Sequence, residues 1–407
     1  MTRRRLVGLG GCLAAVVLVL VLALGGRGDG HGVPEGGSSF GAPPAASRHP
    51  GTGLLDALAP VLQPEGRGAT ATVQATAAHG EPALPAAAPR AAARLFLVGF
   101  GGPDPGRDVL GRLALHEWGG VVLEAGNGIS AQQIAGLVGR VRGAAERAQH
   151  AAPLIVASQP GGDGDAVPVG TPLQSQIPDA ATAQRTAQAT AAALKPLGVR
   201  MVLGPDADTG TAGGPWAGRA YSDDPALVGP MAAAAVAGFK AGGVAPAPGH
   251  FPGEGAASGD PSLEPATVGL SEDELRRRDL KPFAELARAA PAIQLSAATY
   301  VAFDGVTPAT LLPDVVTLLR KDLGFDGVVI SGDLAAASLA TGRPVADLAV
   351  EALKAGCDLL WVPGDAGDQD AAWRAVVRGL RTGEVPPARV ADALARVSAL
   401  RARYGVR

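Results

Sequence analysis

The chain is short of the residues from which many binding sites are built. Aromatics fill only 4% of its 407 positions, two cysteines and six histidines are its whole stock of soft ligands, and no Walker-type phosphate loop occurs. Each shortage closes a route. With so few aromatics, a core must be assembled from Ala, Val and Leu in many small pieces, which suits repeated helix-on-strand layers. Cys12 lies inside a hydrophobic run suited to a bilayer, out of reach of Cys357, so no internal disulfide is expected. The histidines at 31, 49, 79, 116, 150 and 250 include no i, i+4 pair and none beside cysteine in a ligand spacing, so neither a metal site nor a cofactor is expected. The formal charge of −3, with basic residues scattered among acids, leaves no basic stripe and argues against nucleic acid as a partner.

What is present falls into three stretches. Arg3, Arg4 and Arg5 precede an uncharged run from Leu6 to Leu24, which as a helix would measure about 28 Å against a bilayer core of roughly 30 Å. Residues 1–25 therefore read as a cytoplasmic stub and transmembrane anchor, with the arginines inside and the rest of the chain across the membrane. A cleaved signal segment is the competing reading, with Ala23-Leu24-Gly25 a weak cleavage site. The expected location is the cell membrane, single-pass with an extracytoplasmic C-terminal domain, or the exterior if the segment is cleaved. Residues 26–94 are rich in Gly, Pro and Ala with few large apolar side chains, the composition of a disordered tether.

From residue 95 to 407 the texture changes to short apolar runs separated by helix-like stretches, the alternation of parallel strands with crossover helices. Eight runs can be counted, at 95–100, 120–123, 154–157, 200–203, 243–247, 293–296, 327–330 and 359–362. Helices are predicted at 131–148, 180–194, 225–240, 272–289 and 313–323, then at 370–382 and 387–404. Ser271 and Glu274 would form a capping box at the start of the fourth. Eight alternating units predict an α/β fold of the (β/α)₈ TIM-barrel type, whose chemistry sits at the C-terminal strand ends.

The segments at those ends carry a family likeness. Gly119-Gly120-Val121-Val122-Leu123 with Asn127, the loop Gly218-Arg219-Ala220-Tyr221-Ser222-Asp223-Asp224-Pro225, and Gly249-His250-Phe251-Pro252-Gly253-Glu254-Gly255 stand in order. Pro308–Leu312, Gly324–Leu334 and Ala355-Gly356-Cys357-Asp358-Leu359 come after them. The series resembles the β-N-acetylhexosaminidase branch of the family 3 glycoside hydrolases, whose own form of the third segment reads K-H-F-P-G-H-G. The likeness implies a retaining mechanism, in which a carboxylate captures the sugar covalently while a second group moves the proton.

The reactive positions that this resemblance implies are substituted. The nucleophile of the family's S-D-D-L segment corresponds to Gly332 in Ser331-Gly332-Asp333-Leu334, and the histidine of its D-S-H loop corresponds to Ser262 in Asp260-Pro261-Ser262. Glycine offers no carboxylate, and a serine hydroxyl cannot shuttle protons near neutral pH as imidazole does. The lysine of K-H-F-P-G-H-G is Gly249, and its second histidine is Glu254.

Arg219, His250 and Asp208 remain as ligand-binding candidates, with Arg219 able instead to pair with Asp208 or Asp224. The expectation is a catalytically inactive, membrane-tethered pseudo-glycosidase that binds an envelope glycan, a peptidoglycan fragment or an envelope protein. The alternative is an active O-glycosyl hydrolase with Asp333 and Glu254 or Asp260 as a displaced carboxylate pair. Glu124, after the second strand, and Trp216, near Arg219, also belong to the mouth.

Overall fold

The computed structural model describes residues 84–406. The stretches read above as anchor and most of the tether lie outside the described residues. Among those described, no helix is long and apolar enough to cross a membrane.

In chain order the elements are α1 (Leu84–Ala93), β1 (Phe96–Val98), α2 (Gly106–Leu115), β2 (Gly120–Leu123), α3 (Ala131–Arg147), β3 (Leu154–Ser158), α4 (Ala180–Leu194) and β4 (Met201–Asp206). There follow α5 (Pro225–Gly242), β5 (Ala245–Gly249), β6 (Thr267–Val268), α6 (Glu272–Arg277), α7 (Leu280–Ala289), β7 (Ala292–Gln294) and β8 (Thr299–Tyr300). The chain continues through α8 (Pro313–Thr317), β9 (Val328–Ile330), α9 (Leu334–Thr341), α10 (Val345–Ala355), β10 (Leu360–Val362), α11 (Ala366–Thr382) and α12 (Pro387–Arg403).

Strands β10-β1-β2-β3-β4-β5 form one parallel sheet and β7-β9 a second parallel pair. Single parallel bridges, Phe251 to Leu295 and Ile330 to Leu359, join the two at both ends. The result is a curled parallel α/β sheet, consistent with an eight-stranded barrel. All eight predicted runs fall on these strands.

The period-two alternation of side chains sorts the apolar residues into two cores. Leu97, Val122, Val156, Met201, Leu203, Ala245, Ala247, Val328, Ile330 and Trp361 form one cluster. Their sequence neighbours, such as Val98, Val121, Ile155, Val202 and Val329, belong to a larger cluster shared with the helices. The first cluster is continued by Val397, Leu400 and Tyr404 of the last helix and its end. Small residues fit this narrow interior: a Cβ on Gly120 would stand 2.7 Å from the Leu154 carbonyl oxygen.

Several elements depart from the sequence reading for local reasons. Ten residues near the end of the tether-like stretch, Leu84–Ala93, are helical, because Ala88 and Ala92 are fully buried and the Trp373 indole N–H donates to the Pro89 carbonyl at 2.9 Å. The helix predicted over 272–289 is two helices broken at Arg278 and Asp279, though the Ser271–Glu274 capping box is present. The helix predicted over 313–323 turns to a π-helix at Leu318–Asp322. Beneath the sheet Asp358, fully buried, accepts from the guanidinium groups of Arg320, at 2.6 Å, and Arg389. It also accepts the Val329 backbone N–H at 2.9 Å, tying β9 to α12.

Candidate functional site

The C-terminal strand ends surround an open cavity of about 220 Å³. Its lining comes from consecutive strands: Glu124 after β2, Ser158 on β3, Asp206 on β4, His250 after β5, Gln294 on β7, Asp333 after β9 and Trp361 on β10. Loop residues Trp216, Arg219, Glu254, Asp260 and Ser262 complete it. The volume is below the roughly 300–1,000 Å³ of drug-sized sites, so the space takes only a small occupant.

His250 is the most constrained of these side chains. Its backbone N–H and its ring Nδ1–H both donate to one Asp208 oxygen, at 3.1 and 2.9 Å, while the other Asp208 oxygen accepts the Glu254 backbone N–H at 2.6 Å. Asp208 is fully buried and does not line the cavity. It therefore positions His250 and Glu254 from behind, a different place from the ligand contact expected of it. On its other side the imidazole stacks on Trp216, with centroids 5.2 Å apart, and the Arg219 guanidinium lies 4.7 Å above the same indole. Burial favours neutral imidazole, but Glu254, Asp208 and Asp206 outweigh it and raise the His250 pKa, so the ring is an imidazolium at neutral pH. Burial raises Glu254 as well, against the pull of His250, with the Asp208 charge adding to the rise.

Arg219 pairs with Asp260 at 3.6 Å, and with neither Asp208 nor Asp224. Asp224 instead caps α5 through the Ala226 N–H at 2.9 Å. Asp260 also accepts the Ser262 hydroxyl at 2.6 Å and its backbone N–H at 3.0 Å. The carboxylate two residues before Ser262 thus grips that residue through both its hydroxyl and its N–H.

The three fallback carboxylates, Asp333, Glu254 and Asp260, all line this one cavity. Asp333 also caps α9, one oxygen accepting the Ala335 and Ala336 N–H groups at 2.7 and 2.9 Å. Burial raises its pKa and those two hydrogen bonds oppose the rise. Glu124, placed at the mouth by the sequence reading, faces Asp333 electrostatically: burial and then the Asp333 charge lift its carboxyl to about 7.

Gly332 is packed away from the lining. Its N–H donates to the Thr310 hydroxyl at 3.0 Å, and a Cβ there would stand 2.9 Å from the Ala297 nitrogen and 3.0 Å from the Leu295 carbonyl oxygen. The position has no room for a side chain unless the backbone of 295–297 moves.

Asp206 was missed in the sequence, where the fourth run stops at Leu203. It ends β4 opposite Gly249 of β5, with its backbone clamped by both polar atoms of the Gln174 amide at 2.9 Å. Burial raises its carboxyl to about 6, the His250 charge pulling the other way. Two aspartates at i and i+2 beyond an apolar run were the available signal.

One metal-like grouping does occur among the described residues. Asp208, His250 and Glu254 bring one ligand atom each within 4.8 Å of one another. Asp208 already accepts three N–H groups and the histidine Nδ1 is committed to it, so this arrangement is a closed ion-pair network.

Residues 94–400 match the glycosyl hydrolase family 3 N-terminal domain. A beta-hexosaminidase of Stenotrophomonas maltophilia is 32% identical over 282 residues, covering 66% of this chain and 83% of the relative. Among solved structures, a family 3 beta-N-acetylglucosaminidase from Paenibacillus superposes with a TM-score of 0.72 at 28% identity, over 78% of this chain and 62% of that one. A beta-N-acetylhexosaminidase from Beutenbergia cavernae gives 0.70 at 27% identity, over 80% of this chain and 99% of its own. The ordered motifs, the curled parallel sheet and the strand-end cavity have a common explanation in these matches, and the chain belongs to glycosyl hydrolase family 3 through that family's N-terminal domain.

Proposed function

We propose that this chain is a pseudo-glycosidase that holds one sugar unit of an envelope glycan or peptidoglycan fragment at the strand ends, with the covalent hydrolytic route of its family closed. The relatives named beta-hexosaminidase support a hexosamine as that sugar. The run at residues 6–24 supports tethering to the membrane, with the sheet domain outside and within reach of envelope proteins.

The observation that carries this reading is Gly332. The resemblance puts the side chain that captures an anomeric carbon at this position, where the chain has none, and a Cβ there would come within 2.9 Å of the backbone of 295–297. Losing a proton-transfer group alone costs about 10²–10⁴ in rate, and here the nucleophile is gone as well. Purified protein should release no aryl group from an aryl N-acetyl-β-glucosaminide while binding a hexosamine in calorimetry. Turnover that survives further purification would refute the reading, and binding of an envelope protein without any saccharide would replace it by a scaffold.

A second reading has one observation of its own. Asp333, Glu254 and Asp260 converge on one cavity, so a displaced pair could hydrolyse without Gly332. Separations of about 5–5.5 Å suit retention and about 6.5–9.5 Å inversion. Under this reading turnover is present in the native protein and abolished in Asp333→Asn.

A further inference from the structure

We propose that the sugar held at the strand ends carries a free, protonated amino group in place of an N-acetyl group. The inference rests on the reading of the cavity as a sugar site and names the class of sugar it selects.

The first support is charge balance. Five acidic side chains line the cavity, those of Glu124, Asp206, Glu254, Asp260 and Asp333, against two cationic ones, Arg219 and His250, and burial holds Glu124 at about 7 and Asp206 at about 6, so that an arriving cation would draw them into the charged form. The cations are already engaged: Arg219 with Asp260, and His250 with Asp208 and Glu254.

The second support is Asp206. Its side chain lines the cavity and the residue is only 8% exposed. Among the described residues its carboxylate has neither a hydrogen bond nor an ion pair, in contrast to the doubly clamped backbone beneath it. Burying a carboxylate without donors costs free energy that paired groups recover. An acceptor-only group facing a ligand space asks for a ligand that brings donors and positive charge.

A third support is the change at the neighbouring positions. Gly249, opposite Asp206 on the next strand, stands where the resembled family segment has lysine, and Glu254 stands where it has histidine. A Cβ on Gly249 would meet only the Gln294 side chain and backbone at ordinary contact distances of 3.4 Å and beyond, so crowding does not account for the missing cation. Both changes move the cavity toward negative charge.

An ammonium offers three N–H donors and a full charge to Asp206 and its neighbours. An acetamide offers one N–H, no charge, and a carbonyl oxygen whose lone pairs would face carboxylates. A site built around the charged form rejects the neutral one because its own buried acids are left unpaired. The cavity is also larger than a bare ion requires and has apolar walls in Trp216, Leu203, Leu295 and Trp361, which suit a sugar ring better than an inorganic cation.

The test is calorimetric titration of the full chain at pH 7 with the β-1,4-linked glucosamine disaccharide and, separately, its di-N-acetyl form. The free amine should bind at least about ten-fold more tightly. That preference should shrink several-fold in 0.5 M NaCl and fall to near parity in Asp206→Asn. Equal affinities, or tighter binding of the acetylated sugar, would overturn the inference and leave the sugar site standing. Binding of neither disaccharide would overturn both. Should Asp206→Asn fail to fold by thermal melt, the native preference and its salt dependence decide alone.

Discussion

One carboxylate oxygen of Asp208 accepts both the backbone N–H of His250 and the N–H of that residue's own ring, so a single buried acid fixes the histidine at two points. The other oxygen holds the Glu254 amide. Truncation to Asp208→Ala would strand three N–H groups and leave His250 without its nearest counter-charge. The expected loss is about 3–5 kcal/mol of folding free energy, read as a lower denaturation midpoint in urea. A loss under about 1 kcal/mol would mean that the network is not held as described.

Gly332→Asp combined with Ser262→His would restore both reactive side chains of the resembled family. No rescue of aryl-glycoside hydrolysis is expected, because the new Cβ at 332 meets backbone atoms of 295–297. The Gly332 change alone should cost about 1–3 kcal/mol through overpacking. Activity in the double variant at undiminished stability would show that the backbone yields.

The Glu124 carboxyl, near 7, should respond to its neighbour across the cavity. Neutralising Asp333 as Asn removes a like charge, so the Glu124 midpoint should move down, as followed by carbon NMR of labelled glutamate. An unchanged or higher midpoint contradicts the proposed coupling.

Asp279 is fully buried and burial raises its carboxyl to about 7, the Arg278 charge opposing the rise. It therefore binds its proton more tightly folded than unfolded. Stability from this group is complete below about 3.8 and is lost as pH rises through about 7. The Asp279→Asn protein should lack this decline, and its stability relative to the parent should improve by up to about 4 kcal/mol between pH 4 and pH 8. Parallel stability curves for the two proteins would refute the assignment.

Asp358 is wedged between the guanidinium groups of Arg320 and Arg389. Removing it as Ala leaves two partly buried cations facing one another and should cost about 3–5 kcal/mol. Replacing Arg389 alone should cost less, since Arg320 would still neutralise the acid. Thermal melts of the two variants give the order.

The strands were legible because each is a short apolar run between breakers, and all eight predicted runs fall on barrel-like strands. Gly332 and Ser262 stand inside segments that resemble the family's, and it is that resemblance alone that reads them as substituted reactive positions. Asp206 was not legible, because Gly204-Pro205 reads as a strand end. In the folded chain Gly204 takes φ +127° at a register shift, where glycine is tolerated, and the strand continues to Asp206. Helices α9 and α10 escaped notice for a different reason. Leu334–Thr341 is apolar on nearly every side and shows no period, while Gly342 and Pro344 break the pattern just before Val345. The crowding at Gly332 involves residues more than thirty positions away and has no signature in the local sequence.

That crowding makes position 332 and the segment at 295–297 interdependent. An aspartate introduced at 332 would press its Cβ on that backbone, which would have to retreat first. Any redesign of this strand end therefore has to vary both places together, since neither change is accommodated without the other.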